Sequence, residues 1–461
     1  MRAPIPSRKQ PRGAALLVVM VSIAVVTAMA VDLAYQTRVS LQMAANARDE
    51  LRATALAKSA VNVSRLVLHF QQQLDGATGA AAQATAALGG TAAQTGKTGQ
   101  AGQTGTAAAG TAAGGLGALL GGLGSGFGGG VRLWDLVPVD SSVVPLILGG
   151  GGTTGATARP TAASPGAPAA PGAEVPRAAF GDFDGSFQAH IEDEDSKVNV
   201  RQLNGVGALP VAQAARLAEL VKDDKWSFLF DQDDANGWRV SRRDLLAALK
   251  DWVDEDDQVS VFTGNPLQPF EQGSGDENAL YQRASDRYQA KNAWFDSLGE
   301  LYMVAGVSDA FMAAFGDRLT VFTDVNAPIN VNAASRAELL LNALVMSDPP
   351  GVPQPVLADP GFGDKLEKAL TLLRPLPFMS ITPQQFAAAL QTLGVRVNPF
   401  YTQATTDPGK VAFGNTSSTF RIRATGSAGD VKKDIEAVVL FDRRAGPLAQ
   451  DLGRLVHWHE E

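Results

Sequence analysis

Arg8-Lys9-Gln10-Pro11-Arg12-Gly13-Ala14-Ala15-Leu16-Leu17-Val18-Val19-Met20 opens a run that carries no charge until Asp32. At 1.5 Å per residue a helix over that run spans roughly the 30 Å hydrocarbon core of a bilayer. The basic flank belongs on the cytoplasmic side, so the chain beyond Asp32 is exported. Two readings of the run stay open. Ala28-Met29-Ala30 offers a small-residue cleavage site of the secretory kind. Against this, Ala34 to Leu74 continues without a proline or a glycine, which predicts one unbroken helix from the apolar run into the exported part.

Within the helix, Leu56, Ala60, Val63, Val67, Phe70 and Leu74 recur at spacings of four and three. Lys58, Asn62 and Arg65 lie off that stripe, so the stem presents one apolar face. A charged leader that stops at a glycine and passes straight into a retained apolar stem resembles the prepilin class of signals. That resemblance implies cleavage between Gly13 and Ala14 by a prepilin peptidase, with Ala14 methylated. The place where such subunits carry a glutamate is Val18 here. A carboxylate in lipid is costly unless paired, so a subunit lacking one makes no pair with the subunit it would stack on.

The chain has 461 residues, a formal charge of −8 and no cysteine. The length accommodates two or three domains, and disulfides and thiolate metal sites are excluded. The leader's Arg2, Arg8, Lys9 and Arg12 are all positive, so the remainder is more acidic still. No nucleic-acid surface is expected of such a chain.

Order is expected to lapse over 76–178. Gly, Ala and Thr dominate, then Pro and Ala, and such a composition buries too little surface to offset its ordering entropy. Leu133-Trp134-Asp135-Leu136-Val137 is the exception, a short strand or a docking segment. Strand alternation resumes at Ser186–Ile191 and again at Thr419–Thr425 and Asp434–Phe441, with turn residues over Gly426–Asp430. Between them the pattern is mostly helical. Helices are predicted over Val211–Val221, Arg242–Trp252, Trp294–Gly306, Ser308–Gly316, Ala334–Val345, Lys365–Leu373 and Pro383–Leu393, with Ser241 and Thr382 as caps.

This gives an α+β fold in the following order. A leader covers 1–13, a long helix 14–75 (transmembrane over about 14–33) and the low-complexity insert 76–178. A pilin-like antiparallel sheet is assembled from 179–202 and 405–445. A helical domain, 203–404, is inserted into it, and 446–461 forms a solvated tail. Strands on both sides of the helical block favour insertion, because a lone hairpin at each end would be marginal in water.

Few residues carry chemistry. Asp251-Trp252-Val253-Asp254-Glu255-Asp256-Asp257 and, further on, Gly273-Ser274-Gly275-Asp276-Glu277-Asn278 concentrate oxygen donors in two loops. Hard oxygen ligands of that kind suit calcium, with Asp254, Asp256, Asp257, Asp276, Glu277 and Asn278 as candidate ligands; a solvated acidic loop is the alternative. Asp231–Gly237 also looks calcium-like but misses the EF-hand register. Ile329-Asn330-Val331-Asn332-Ala333 resembles the opening of a helix-hairpin-helix module, without the expected glycine hairpin. It reads as packing, with Asn332 capping the next helix. His457-Trp458-His459 lies in the expected tail. No nucleophile–base pattern and no phosphate loop is present, so no enzyme is expected.

The ordered set of motifs resembles the minor pseudopilin K family of type II secretion systems. Asp195-Ser196-Lys197-Val198-Asn199-Val200 stands for its acidic-K-x-N-x-N segment, with Arg201 in place of asparagine. Asp251–Asp256 stands for D-W-x-D-x-D, and Gly275–Tyr281 for G-x-E-D-x-x-Y with Asn278 for aspartate. Lys291-Asn292, Ser297–Gly306 and Ile329–Ser335 complete the order. The resemblance implies a non-enzymatic subunit at the tip of the pseudopilus. Its implied partners are other minor pseudopilins, inner-membrane secretion platform proteins and the prepilin peptidase. It would be a single-pass inner-membrane protein with its bulk in the periplasm. Two other readings are a pilus or competence component whose helix-hairpin-helix-like part binds DNA, and a signal-anchored calcium-binding surface protein.

Overall fold

The computed structural model describes residues 12–89, 130–141 and 185–461, the last without 232, 234–238, 280, 284–286, 334, 350–351, 353, 375, 377, 402–406, 408–409 and 443–450. Helix α1, Arg12–Gly89, is 78 residues long and at 1.5 Å per residue extends about 115 Å. Its two halves differ. From Leu16 to Tyr35 the large apolar side chains are exposed, Leu16 at 67% and Tyr35 at 68%. From Ala53 to Leu68 the stripe is buried, with Leu56, Ala60 and Val67 inside and Val63, Phe70 and Leu74 packed at its border. The helix continues past Gly76, where low-complexity sequence was expected to end it. Helical backbone bonds are local, so a run of Ala, Gln and Thr extends a formed helix at small cost once the packed part has nucleated it.

The buried half of α1 lies on a five-stranded antiparallel sheet. Its strands are β1 (Val139–Asp140), β2 (Ser186–Asp193), β9 (Thr419–Ala428), β10 (Val431–Leu440) and β11 (Arg454–Glu460), in the order β1-β2-β9-β10-β11. Ile191, Ile422 and Ala437 sit opposite one another across three strands and share the face under α1. Gly426 lets the helix approach the sheet. A Cβ there would stand 2.1 Å from the Ala53 carbonyl oxygen and 2.5 Å from the Ala57 amide nitrogen. The hairpin between β9 and β10 turns on Gly429 and Asp430, tighter than the five-residue turn expected.

Two boundaries move. The expected tail, 446–461, is described from Asp451, and from there it is not free: β11 pairs with β10 and Arg65 of α1 donates to the carbonyls of Leu452 and Gly453 at 3.0 and 2.7 Å. The residues of β11 are polar or only partly covered and none is buried, which suits an edge strand and also reads as solvated sequence. Within the expected insert, Gly130–Ser141 is ordered. One helical turn, α2 (Leu133–Leu136), precedes β1, and Leu133, Val137 and Val139 enter the core under α1. Gln71 of α1 holds this strap at both ends of a turn, donating to the Val131 carbonyl at 2.8 Å and accepting from the Leu133 amide at 2.7 Å.

Neighbouring strands β2 and β9 are separated in sequence by residues 194–418, which build two further cores. The first contains β3 (Val198–Asn199), α3 (Ala208–Lys222), α4 (Phe228–Asp231), α5 (Arg242–Asp251), α6 (Asp309–Phe315) and β6 (Leu319–Thr320). It also holds a hairpin the helical pattern did not suggest, β4 (Gln258–Asn265) with β5 (Gln268–Asp276). Trp294–Gly306 is helical only as a 3-10 stretch, Leu298–Met303. The second core joins β7 (Ile329–Asn330), α7 (Arg336–Val345), α8 (Phe362–Leu373), α9 (Pro383–Thr392) and β8 (Phe413–Gly414). Thr382 caps α9 with Pro383 in the first turn and Gln385 closing a capping box.

Asn332 does not cap α7. Its side chain donates to the Ile381 carbonyl at 2.9 Å and accepts from the Ile381 amide at 2.8 Å and Arg374 at 2.9 Å. Asn330 reaches the sheet, donating to Asp193 and to Ser417 at 2.8 Å each. The asparagines of the Ile329–Ala333 segment are thus spent on joining the second core to the sheet. Asp195, Lys197 and Asn199 are spent on internal bonds too. Asp195 accepts from the Ser418 amide at 2.7 Å, Lys197 pairs with Glu194 at 2.6 Å, and Asn199 donates to Thr323 at 2.5 Å.

Candidate metal centre of three buried carboxylates

Helix α5 begins at Ser241, whose hydroxyl accepts from the Asp244 amide at 3.2 Å. Leu245, Leu246 and Leu249 face the core, and Asp251 at the helix end is buried as well, 3% exposed, beneath the strand that follows. One Asp251 oxygen accepts from the Ser260 amide of β4 at 2.9 Å. Asp254 follows in the next turn, also buried, paired with Lys250 one helical turn back. The hairpin β4–β5 then carries the chain out and back. Glu277 arrives beside both aspartates, its amide donating to the Asp257 carbonyl at 3.4 Å.

Ligand oxygens of Asp251, Asp254 and Glu277 lie within 4.8 Å of one another. Lys250 is the one cation paired with any of them among the described residues. Asp254 Oδ1 and both Glu277 carboxylate oxygens are buried without a hydrogen-bond partner there. Burial, then the nearby Asp251 charge, pushes the Glu277 carboxyl up to about 8, with the Asn292 side chain pulling the other way. Burial likewise raises Asp251 to about 6 and raises Asp254. Three carboxylates this close, out of water and under-neutralised, favour a proton or a cation among them.

Asn292 lies beside the centre, where its side chain acts on the Glu277 carboxyl. It adopts a left-handed backbone, φ 49°, and its amide nitrogen donates to the Asp256 carbonyl at 3.0 Å and to Asp257 at 3.3 Å. That leaves Asn292 Oδ1 buried and without a hydrogen-bond partner. Carboxylates that can bind through one or two oxygens, together with water, fit a hard cation of calcium's coordination number.

The motifs that are unspecific one by one meet here. Trp252 stacks on Phe295 with ring centres 6.1 Å apart and meets Tyr281 edge-on at 5.8 Å. Lys291 holds Glu300 at 2.7 Å. Gly306, at φ 86°, passes so close to Val240 that a Cβ would stand 2.9 Å from its side chain.

Of the expected ligands, Asp254 and Glu277 are in the cluster. Asp256, Asp257 and Asp276 are exposed and outside it. Each bonds locally instead: Asp256 accepts from the Gln258 amide, Asp257 from Asn292 and Asp276 from the Asn278 amide. Asn278 is buried, but its oxygen accepts from the Ala290 amide at 2.8 Å. Asp251 was missed as a donor, although it opens the same acidic run, Asp251–Asp257, that supplied other candidates. Gly13 and Ala14 lie inside the bounds of α1, with side chains outside the described ones, and Asp231–Gly237 falls mostly outside them too.

Residues 196–324, which span the centre, match the family model described as type II secretion system (T2SS), protein K. Among solved structures the chain is similar to the GspK-GspI-GspJ complex from the type 2 secretion system of enterotoxigenic Escherichia coli. That likeness has 13% identity, covers 60% of this chain and 81% of that one, and has a TM-score of 0.36. No curated protein matches. Residues 196–324, across which the ordered motifs run, are thus similar to protein K of the type II secretion system.

Proposed function

We propose that this chain is a minor pseudopilin at the tip of the type II secretion pseudopilus. It would assemble with other minor pseudopilins to support protein export across the outer membrane. The observation that carries the reading is the division of α1. Its apolar half from Leu16 to Tyr35 is exposed along its length, while the half from Ala53 to Leu68 is sealed onto the sheet. An apolar helix open on all sides suits lipid, and among the described residues this one helix is long and apolar enough to cross a membrane. The bulk of the chain then stands in the periplasm. Val18, where a pilin-type glutamate would sit, leaves the stem without a partner for the amine of a subunit above it, which suits the first subunit of a filament.

The role is structural, and the carboxylate centre holds calcium to fix the β4–β5 hairpin against α5. Photo-crosslinkers placed at Leu41 and Leu51, exposed on α1, test the assembly in intact cells. Adducts to other minor subunits, with the chain far below stoichiometric amounts in isolated filaments, support the tip. Regularly spaced, abundant copies along the filament overturn it.

A further inference from the structure

Strand β11 places His457, Trp458 and His459 in a ladder rather than in a tail. Val438 is opposite His457, Ala437 opposite Trp458 and Glu436 opposite His459. Successive side chains alternate in a strand, so the two histidines share one face and Trp458 takes the other. The contacts agree. His457 lies against the Phe322 ring with centres 5.2 Å apart, whereas Trp458 donates to Glu460, which pairs with Lys58 of α1 on the opposite face. The Glu461 amide donates to the Asp434 carbonyl at 3.0 Å, so the ladder holds the pair from both ends.

We propose that His457 and His459 form a two-imidazole chelate for a borderline divalent cation of the zinc type, with water completing the coordination. His457 is the fixed half, its ring oriented by Phe322. His459 is the adaptable half, with a side chain 60% exposed. Glu461 stands 3.4 Å from His459 Nε2, and Glu436 faces it across the ladder; both add negative charge beside the ligands. Arg421 and Arg423 face the same patch, but both are committed to Glu436, and Arg421 also to Glu194. Imidazole suits zinc, nickel and copper, whereas calcium takes oxygen, so this site and the carboxylate centre select different ions.

The test is titration calorimetry of Zn2+ into the full-length protein in detergent with calcium saturating. The expected result is one Zn2+ per chain, weakened at least tenfold in His459→Asn and in His457→Asn and retained in Trp458→Phe and Glu277→Gln. His459 is exposed, so His459→Asn is expected to melt with the parent, separating lost ligation from lost folding. Absence of Zn2+ binding by the parent protein, or unchanged binding in His459→Asn, overturns the proposal.

Discussion

The Ala53 carbonyl of α1 lies directly over Gly426 of β9, closer than any side chain permits. The obstacle is backbone, so no rotamer change makes room. Gly426→Val is expected to lever the stem off the sheet and to destabilise the fold by more than about 3 kcal/mol. Chemical denaturation of the exported part checks this, and a loss below about 1 kcal/mol would contradict the packing described.

The segment Ile329–Ala333 yields a second prediction. Asn332→Ala leaves the Ile381 amide and carbonyl without their partner inside the protein. Each stranded buried group costs about 1–3 kcal/mol, so a loss of about 3 kcal/mol is expected. Replacement of a helix cap would cost about 1 kcal/mol and leave tertiary contacts intact. The size of the effect therefore distinguishes the two roles, and hydrogen exchange at Ile381 gives a local readout.

The stem, strands β2, β9 and β10 and the capped helices were legible because each writes its periodicity or its cap in consecutive residues. Ser241 and Thr382 are examples, and so is the stripe from Leu56 to Leu74. The hairpin β4–β5 was not. Its arms carry Gly264, Gly273, Gly275 and Pro269, and only pairing in three dimensions makes strands of them. The carboxylate centre was legible as to region and only partly as to ligand. Glu277 and Asp254 stood out as charges in loops, but so did Asp256 and Asp257, which face solvent. What sorts them is whether the backbone turns each one inward, and for Asp251 that depends on β4, whose Ser260 amide holds its carboxylate. β11 was hidden because exposed residues such as His459 and Glu460 look alike in an edge strand and in a solvated tail.

Processing gives a third prediction. Gly13 precedes the proposed cut, where the chain must pass a peptidase at the membrane face with no side chain in the way. Gly13→Leu is expected to leave full-length precursor in the membrane, seen as slower migration and an intact Met1 by N-terminal sequencing. Normal maturation of that variant would favour an uncleaved anchor, and a mature terminus at Val31 would favour the secretory reading.

The last prediction follows from Glu277. Its carboxyl is raised to about 8 in the folded metal-free protein, well above its ordinary value of 4.5. An acid with a raised folded pKa is held protonated by folding. Between about 4.5 and about 8 the native state then binds more protons than the unfolded chain, so this group makes metal-free stability fall as pH rises across that window. Calcium binds the deprotonated centre, so its stabilising effect should grow over the same interval. Thermal melts of the full-length protein in detergent, with calcium or with chelator, should diverge from pH 5 to pH 8. Glu277→Gln removes the charge and keeps the shape. It is expected to raise metal-free stability at pH 8, flatten the pH dependence and abolish most of the calcium response. Asp256→Asn, outside the cluster, should change none of these. If calcium shifts the melting of Glu277→Gln and of the parent equally, the three carboxylates do not hold the ion.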